Sequence, residues 1–195
     1  MARRAKIHRK TSETDVSIEM NLDGTGDSQI STPIPFLNHM LDLFTKHGLF
    51  DLKIKSKGDT DIDDHHTVED IGICLGEAVK KALADKRGIA RYGAALVPMD
   101  ESLCSVAVDL SGRPYLIYHV TFSGKKNRDF DLSLIKEFLK AFSDRGGITL
   151  HINLMYGRNN HHIAEAVFKA FSRALKEAVA QSKKIEGILS TKGSL

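Results

Sequence analysis

Two segments of the chain repeat one pattern 88 positions apart, and this duplication constrains the fold more than any other feature. Residues 15–24 and 103–112 each read as a strand that runs into a turn. Equivalent positions include Ser17 and Ser105, Gly24 and Gly112, and Glu13 and Glu101. An internal repeat of this kind predicts one structural unit that is used twice within the 195 residues.

The elements that follow each repeated strand also occur in the same order. A first amphipathic helix is opened by Thr32 and Pro33 in one unit and capped by Asp131 in the other, and a short strand follows it. A long second helix comes next, over about residues 65–85 and 161–182. One small sheet cannot cover both sides of two amphipathic helices, so we expect the units to pack helix against helix.

These patterns predict an α+β fold with a sheet on each outer side of a shared helical layer. We expect a single duplicated domain over residues 1–195, with a first half at 1–98 and a second half at 99–195. The length fits this expectation, because a chain of this size buries roughly 70% of its unfolded surface without a disulfide or a metal.

Composition excludes several classes of protein. The formal net charge of +3 is too small to indicate a nucleic-acid partner, and no apolar run is long enough to span a membrane. The basic N-terminal stretch lacks the apolar segment of a secretory signal. Cys74 and Cys104 lie in apolar segments, which favours free thiols in a reducing compartment over a disulfide. We therefore expect a cytoplasmic protein.

The second helix of each unit opens with the motif HHxxE. Its residues are His65, His66 and Glu69 in the first unit, and His161, His162 and Glu165 in the second. Neighbouring helical residues point about 100° apart, so adjacent histidines do not readily bind one ion. Each motif can therefore serve two centres, with one histidine beside the glutamate and the other turned to a second ion. Imidazole and carboxylate donors suit Mn, Fe, Zn or Ni.

Two more candidate donors lie on the first helices. His39 precedes His65 by 26 residues, and Glu137 precedes His161 by 24. Taken alone, His39 fits a half-buried helical histidine and Glu137 a solvated charge. Because they occur at similar places in the two units, we take both as candidate metal ligands.

Cations that lie beside glycines or along the second helix indicate an anion site. They are Arg91, Arg113, Lys169 and Lys192. Guanidinium and ammonium groups, helped by hydroxyls, are the groups that bind a phosphate monoester. Ser190 and Lys192 belong to a polar tail that would normally fray, and a phosphate contact would give it a reason to order.

The chain resembles the imidazoleglycerol-phosphate dehydratase family over nearly its whole length. The matching segments are residues 35–42, 47–51, 64–70, 109–114, 156–165 and 190–193. The resemblance implies a duplicated fold in which a four-helix layer lies between two four-stranded mixed sheets. It also implies two Mn(II) ions per subunit and a homo-oligomer of 24 chains with active sites completed at subunit interfaces.

The resemblance further implies roles for individual residues. Metal ligands would be His39, His65, His66, Glu69, His161, His162 and Glu165, with Glu137 at an eighth position where some members carry His. Substrate contacts would be Glu13, His39, His47, Arg91, Arg113, Lys169, Ser190 and Lys192. Catalytic carboxylates would be Glu13, Glu69 and Glu165.

The implied reaction converts D-erythro-imidazole glycerol phosphate to imidazole acetol phosphate and water in histidine biosynthesis. We expect the metals to bind the substrate ring as an imidazolate, which expels the neighbouring hydroxyl to give a diazafulvene. Glu13 or Glu69 then removes the C–H proton. Two alternatives stay open: a dinuclear metal hydrolase, and a metal-cemented shell or storage particle without catalysis.

Overall fold

A computed structural model describes residues 3–193 and shows one series of elements twice. The first series is β1 (Arg4–Lys10), β2 (Thr14–Asn21), β3 (Ser28–Ser31), α1 (Pro35–Gly48), β4 (Asp51–Gly58) and α2 (His65–Leu83). The second is β5 (Tyr92–Met99), β6 (Ser102–Asp109), β7 (Tyr115–His119), α3 (Leu134–Gly146), β10 (Thr149–Tyr156) and α4 (Asn160–Val179). A short hairpin of β8 (Lys126–Asn127) and β9 (Phe130–Asp131) precedes α3.

The two four-stranded sheets have the same strand order, β1-β2-β4-β3 and β5-β6-β10-β7. Three strands of each sheet are antiparallel, and the edge strands β3 and β7 pair in parallel with β4 and β10. The register repeats as well, since Ile18 pairs with Ile54 and Val106 pairs with Ile152. The predicted α+β fold with two mixed sheets is confirmed.

The helices lie between the sheets because each has one apolar face. α2 packs on β1 and β2, and α4 packs on β5 and β6. The remaining contacts join the halves, with α3 against α2 and α1 against α4. Aromatic side chains fill this layer and are fully buried: Phe44, Phe138, Phe142, Phe168 and Phe171. The first turns of the long helices are thereby held close to the first helix of the opposite half.

Small residues let α2 and α3 approach closely. A Cβ added at Gly72 would lie 2.6 Å from the carbonyl oxygen of Phe138, and one at Gly76 would lie 2.5 Å from that of Phe142. Both distances are too short for any side chain, so the backbones meet at this point. None of the helices within residues 3–193 is long and apolar enough to cross a membrane.

Some local expectations shift by a few residues. α1 begins at Pro35, because the Thr32 hydroxyl accepts from the Ile34 N–H in a turn ahead of the helix. Asp131 accepts from the Ser133 N–H and shapes the approach to α3, whereas Ser133 itself is the N-cap. β5 begins at Tyr92, ends at Met99 and pairs with β6.

The C-terminal tail is ordered by contacts with the segment between α2 and β5. The Gly88 N–H donates to the Gly187 carbonyl at 2.8 Å, and the Ser182 N–H donates to the Gly88 carbonyl at 2.9 Å. Ile89 and Gln181 form an isolated β-bridge. These contacts hold the tail against residues 88 and 89, close to Arg91.

Candidate metal and substrate site

Each HHxxE motif begins at a helix N-terminus, and the N–H of its first histidine is bound by a nearby side chain. Asp63 Oδ1 accepts from the His65 N–H at 2.8 Å, and Asn159 Oδ1 accepts from the His161 N–H at 2.9 Å. In each case the acceptor lies two residues before the first histidine and satisfies an N–H that has no partner within the helix. Asn159 is the N-cap of α4, whereas Asp63 lies one residue before Asp64, the N-cap of α2. These contacts hold the first turn, from which the motif side chains project.

His39, His161 and Glu165 form a compact group of metal-ligand atoms. The Nε2 atoms of His39 and His161 lie 3.0 Å and 2.9 Å from Glu165 Oε1. All three donor atoms lie within 4.8 Å of one another. The group joins the halves, because α1 carries His39 and α4 carries the other two residues. Two imidazole nitrogens and a carboxylate oxygen make a donor set for a divalent transition metal.

Glu165 is a buried charge that is compensated on several sides. Burial alone would raise its pKa, but the Lys169 ammonium at 2.5 Å and the two histidine rings outweigh it and hold the pKa of Glu165 at about 2. The carboxylate therefore stays ionised at neutral pH and is available as a metal ligand.

The first motif has the related arrangement with wider spacing. His65 Nε2 lies 3.8 Å from Glu69 Oε2, and both side chains are nearly half exposed. Glu137 lies in the first turn of α3, which packs against α2. The compact donor groups found among residues 3–193 are His39, His161 and Glu165, and Glu13, Asp59 and His66. Neither includes Glu137, so its role as a ligand stays a prediction.

The second histidine of each motif contacts a carboxylate from outside the helix. His66 Nδ1 lies 3.0 Å from Asp59 Oδ2 and 3.8 Å from Glu13 Oε2. His162 Nδ1 lies 2.7 Å from Glu101 Oε2. The hydrogen bonds to Asp59 and to Glu101 raise the pKa of His66 and of His162, respectively. Adjacent histidines of one motif thus face different groups of residues.

The sequence interpretation did not assign roles to Asp59 or Glu101. Glu101 accepts from the Asn159 N–H at 2.7 Å and from the Arg158 N–H at 3.2 Å. The hydrogen bond to His162 is the main reason that the pKa of Glu101 falls to about 2. A signal was present in the sequence, because Glu101 lies at the position equivalent to Glu13. Asp59 carries no comparable signal.

The candidate anion-binding residues do not converge within one chain. Arg91 forms a two-point ion pair with Asp109, at 2.8 Å and 3.2 Å, and donates to the Leu189 carbonyl at 2.8 Å. The ion pair raises the pKa of Arg91. Arg91 and Ser190 line one cavity of about 620 Å³, whereas Lys169 is bound to Glu165.

The backbone positions that carry Lys169 and Arg91 are well separated. The Arg91 N–H donates to the Ala178 carbonyl, nine residues after Lys169 on α4. Nine helical residues span about 13 Å. Two groups of cations therefore exist in one chain, one at the metal-ligand cluster and one beside the tail.

The remaining candidate substrate residues are distributed between these regions. His47 lies in the last turn of α1, where burial and then the charges of Lys169 and Arg173 lower its pKa. The Arg113 N–H donates to the Ser111 hydroxyl at 3.2 Å, after the turn that ends β6. The Lys192 N–H donates to the Ser190 hydroxyl at 3.2 Å in the tail. His47 thus adds an ionisable ring to the metal-side group.

Known proteins share this fold and sequence. The family model for imidazoleglycerol-phosphate dehydratase matches residues 32–175. Imidazoleglycerol-phosphate dehydratase from Syntrophus aciditrophicus is 63% identical over 194 residues, covering 99% of this chain and 98% of the relative. The enzyme of that name from Geobacter sulfurreducens is 56% identical over the full length of both chains.

Two solved structures are similar as well. Imidazoleglycerol-phosphate dehydratase from Staphylococcus aureus superposes with a TM-score of 0.84 at 42% identity, covering 92% of this chain and 99% of that one. IGPD from Pyrococcus furiosus, solved in complex with (S)-C348, gives 0.85 at 37% identity, covering 97% and 100%. The chain therefore belongs to the imidazoleglycerol-phosphate dehydratases, hydro-lyases (EC 4.2.1.19) of histidine biosynthesis.

Proposed function

We propose that this chain is a Mn(II)-dependent enzyme that converts D-erythro-imidazole glycerol phosphate to imidazole acetol phosphate and water, with two ions per subunit. The observation that carries the proposal is the group formed by His39, His161 and Glu165, whose donor atoms lie within 4.8 Å of one another. Nitrogen and carboxylate donors without thiolates suit Mn(II).

The residues fall into two sets of ligands. One ion would be held by His39, His161 and Glu165, and the other by His65, Glu69 and Glu137. His66 and His162 are turned away from the glutamate of their own motif, and this supports a role in sites shared with a neighbouring chain. When bound, the ions supply Lewis-acid stabilisation of negative charge on the substrate ring.

Glu13 is the carboxylate best suited to move the C–H proton. Its side chain is 52% exposed and lies 3.8 Å from His66. It therefore borders the metal-ligand region and stays accessible to a substrate. Glu165 is a weaker base, because Lys169 and two histidines hold its pKa at about 2. Glu69 remains the second candidate, since it is also half exposed.

Glu13 would accept one of the two protons that move in the dehydration. The hydroxyl leaves as water with the proton released from the substrate's ring nitrogen, which later regains a proton from solvent, and Glu13 accepts the proton from the adjacent carbon. The resulting enol tautomerises to the ketone of imidazole acetol phosphate. The protonated Glu13 is then deprotonated by solvent, which reaches it because the side chain is half exposed.

An assembly would bring the two groups of cations together. Within one chain, the Ala178 carbonyl accepts a hydrogen bond from the Arg91 N–H. Glu165 and Ala178 are 13 helical residues apart, which corresponds to about 20 Å. This distance exceeds the span of a three-carbon chain between an imidazole ring and a phosphate. We therefore propose that Arg91, Arg113, Ser190 and Lys192 bind the phosphate of a substrate whose ring lies at a neighbouring subunit of a 24-chain particle.

The state of the two cysteines bears on the cellular location of the protein. Free buried thiols at Cys74 and Cys104 fit a reducing compartment, and we propose a cytoplasmic location.

One assay tests the proposed function. Metal-stripped protein is incubated with imidazole glycerol phosphate, with and without Mn(II), and formation of the acetol phosphate is followed. We expect product only when Mn(II) is added. Product at an equal rate without metal would contradict the metal dependence. Tight Mn(II) binding without product would instead favour the hydrolase or the storage particle.

A further inference from the structure

The second histidine of each motif faces a carboxylate through the same ring nitrogen. Nδ1 of His66 lies 3.0 Å from Asp59, and Nδ1 of His162 lies 2.7 Å from Glu101. Because an ionised carboxylate can only accept a hydrogen bond, Nδ1 must carry a proton in both rings. In the neutral ring, Nε2 then keeps a lone pair that can bind a metal.

The two carboxylates do not occupy equivalent positions in the duplicated unit. Gly58 and Gly157 are equivalent, because they have equivalent neighbours. A Cβ added at Gly58 would meet Thr14 and Thr67. A Cβ added at Gly157 would meet Ser102 and Ile163, which are the counterparts of Thr14 and Thr67, respectively. Asp59 therefore corresponds to Arg158, which is not acidic.

The contact is nevertheless made in both halves. Six residues, 59–64, separate Gly58 from His65, whereas three residues, 158–160, separate Gly157 from His161. The longer loop brings its own carboxylate to His66, and Glu13 remains half exposed. In the second half Glu101, the counterpart of Glu13, fills this place. Two different routes to one contact indicate that the contact itself is required.

We propose that Asp59 and Glu101 are positioning residues that keep Nδ1 of His66 and His162 protonated and so present Nε2 of each ring to a metal ion. The inference rests on the proposed metal-dependent function. Carboxylates that orient metal-binding histidines in this way typically change metal affinity about 10- to 100-fold when they are replaced.

A glutamine at position 101 cannot preserve this arrangement. Glu101 Oε1 accepts from the Asn159 and Arg158 N–H groups, and from the Ser102 hydroxyl at 3.3 Å. In Glu101→Gln the amide oxygen must stay on that side, so the NH₂ group faces His162 Nδ1. An NH₂ group there favours the ring form that is protonated on Nε2, and Nε2 then has no lone pair to offer a metal ion.

An asparagine at position 59 has more freedom. Asp59 Oδ1 is buried and has no hydrogen-bond partner among residues 3–193. In Asp59→Asn the amide can therefore turn its oxygen toward His66 and still accept from Nδ1. The two variants remove the same charge from equivalent contacts but have opposite effects on the ring, which makes them a matched pair.

The test measures Mn(II) binding to the metal-stripped full chain, with free Mn(II) monitored by electron paramagnetic resonance. We expect Glu101→Gln to weaken one of the two sites by about 10- to 100-fold, and Asp59→Asn to weaken binding by less than about 10-fold. Equal losses in both variants would show that charge alone matters and would overturn the proposal. So would unchanged affinity in Glu101→Gln, or loss of a whole ion in Asp59→Asn, which would make Asp59 a ligand.

A double variant shows whether Glu101 acts through His162. We expect Glu101→Gln to cause no additional loss of Mn(II) affinity in a His162→Gln background. An additional loss of the same size would overturn the positioning role. Circular dichroism of each variant confirms that the fold is retained. If the unaltered chain bound no Mn(II), the proposed function itself would fail. If the unaltered chain bound two ions and Glu101→Gln left their affinity unchanged, only the positioning role would be contradicted.

Discussion

Glu13 and Glu101 occupy equivalent positions of the duplicated unit, yet their surroundings differ. The Glu101 side chain is 29% exposed and is held by His162 and two backbone N–H groups. The Glu13 side chain is 52% exposed, and the nearest ring nitrogen lies 3.8 Å away. One copy of the residue is thus fixed by the protein, and the other is free to meet a substrate.

This difference leads to a prediction for Glu13→Gln. The variant should bind Mn(II) and assemble as the unaltered chain does, because Glu13 is not part of the group formed by His39, His161 and Glu165 and lies 3.8 Å from His66. Turnover should fall by about 100-fold or more, since a general base typically contributes that much. Steady-state kinetics with Glu19→Gln as an exposed control checks this. Normal turnover in Glu13→Gln would remove Glu13 from the mechanism.

Much of the candidate site could be predicted from the sequence, because many of its residues belong to short local motifs. The HHxxE pattern and helical geometry predicted that adjacent histidines face different groups, and His161 and His162 do so. The contact of His66 with Asp59 was not visible, because it depends on the path of a loop after β4. The ion pair of Arg91 with Asp109 was missed because only the fold joins β5 to the end of β6.

At the scale of elements, the helical layer depends on close approach of backbones. Gly76 on α2 lies against Phe142 and Gly146 on α3, where an added Cβ would be 2.5 Å and 2.9 Å from backbone atoms. The sequence predicted both helices from their apolar periodicity. It could not show which glycines are needed for contact, because helix pairing is a property of the tertiary structure.

We expect Gly76→Ala to destabilise the protein although alanine favours helices. The higher helix propensity of alanine contributes about 1 kcal/mol to the free energy of unfolding. Overpacking against α3 costs about 1–3 kcal/mol, because the added methyl group would have to displace the backbone of α3. Urea unfolding of the metal-free chain measures the difference, with the exposed Lys80→Ala on the same helix as control. A more stable Gly76→Ala would contradict the close approach of α2 and α3.

Asp51 anchors the turn between β2 and β3. It accepts from the Thr25 N–H at 2.8 Å, the Asp27 N–H at 3.2 Å and the Asn21 amide at 2.9 Å. The backbone N–H of Thr25 and then the Asn21 side chain lower its pKa from the ordinary value of 3.8. The ionised form is therefore the one that stabilises the folded state.

Asp51→Asn should lower the free energy of unfolding by about 1 kcal/mol at pH 6. Because the folded-state pKa is lowered, this contribution is complete above the unfolded value of 3.8 and is lost as the pH falls through the folded value. Denaturant unfolding at several pH values checks this, with Asp129→Asn, an exposed residue, as control. A difference that grew toward low pH would contradict the assignment.

At the scale of the whole molecule, the two halves have the same topology but carry complementary parts of the chemistry. We propose that residues 1–195 behave as one cooperative domain. The strand β5 begins at Tyr92, so we also propose that the second unit starts before residue 99. We propose that the cations beside the tail of one chain and the ligands on α4 of another complete one site.

Shared sites predict complementation between inactive variants. Arg91→Ala removes a cation beside the tail, and Glu165→Gln removes a metal ligand. Co-assembled chains should recover activity at about a quarter of the sites, those in which both contributing chains supply their intact residue. A mixture of Glu165→Gln with His161→Gln, which damage the same side, is the control. No recovery in the first mixture would mean that each chain forms its site alone.

The location of the metal tests the account most directly. Crystals of the Mn(II)-loaded protein should show two anomalous-scattering peaks per chain at the manganese absorption edge. We expect one peak at the side chains of His161 and Glu165 and the other at those of His65 and Glu69. A single peak, or peaks away from both HHxxE helices, would contradict the claim that the duplicated motif builds the metal centre.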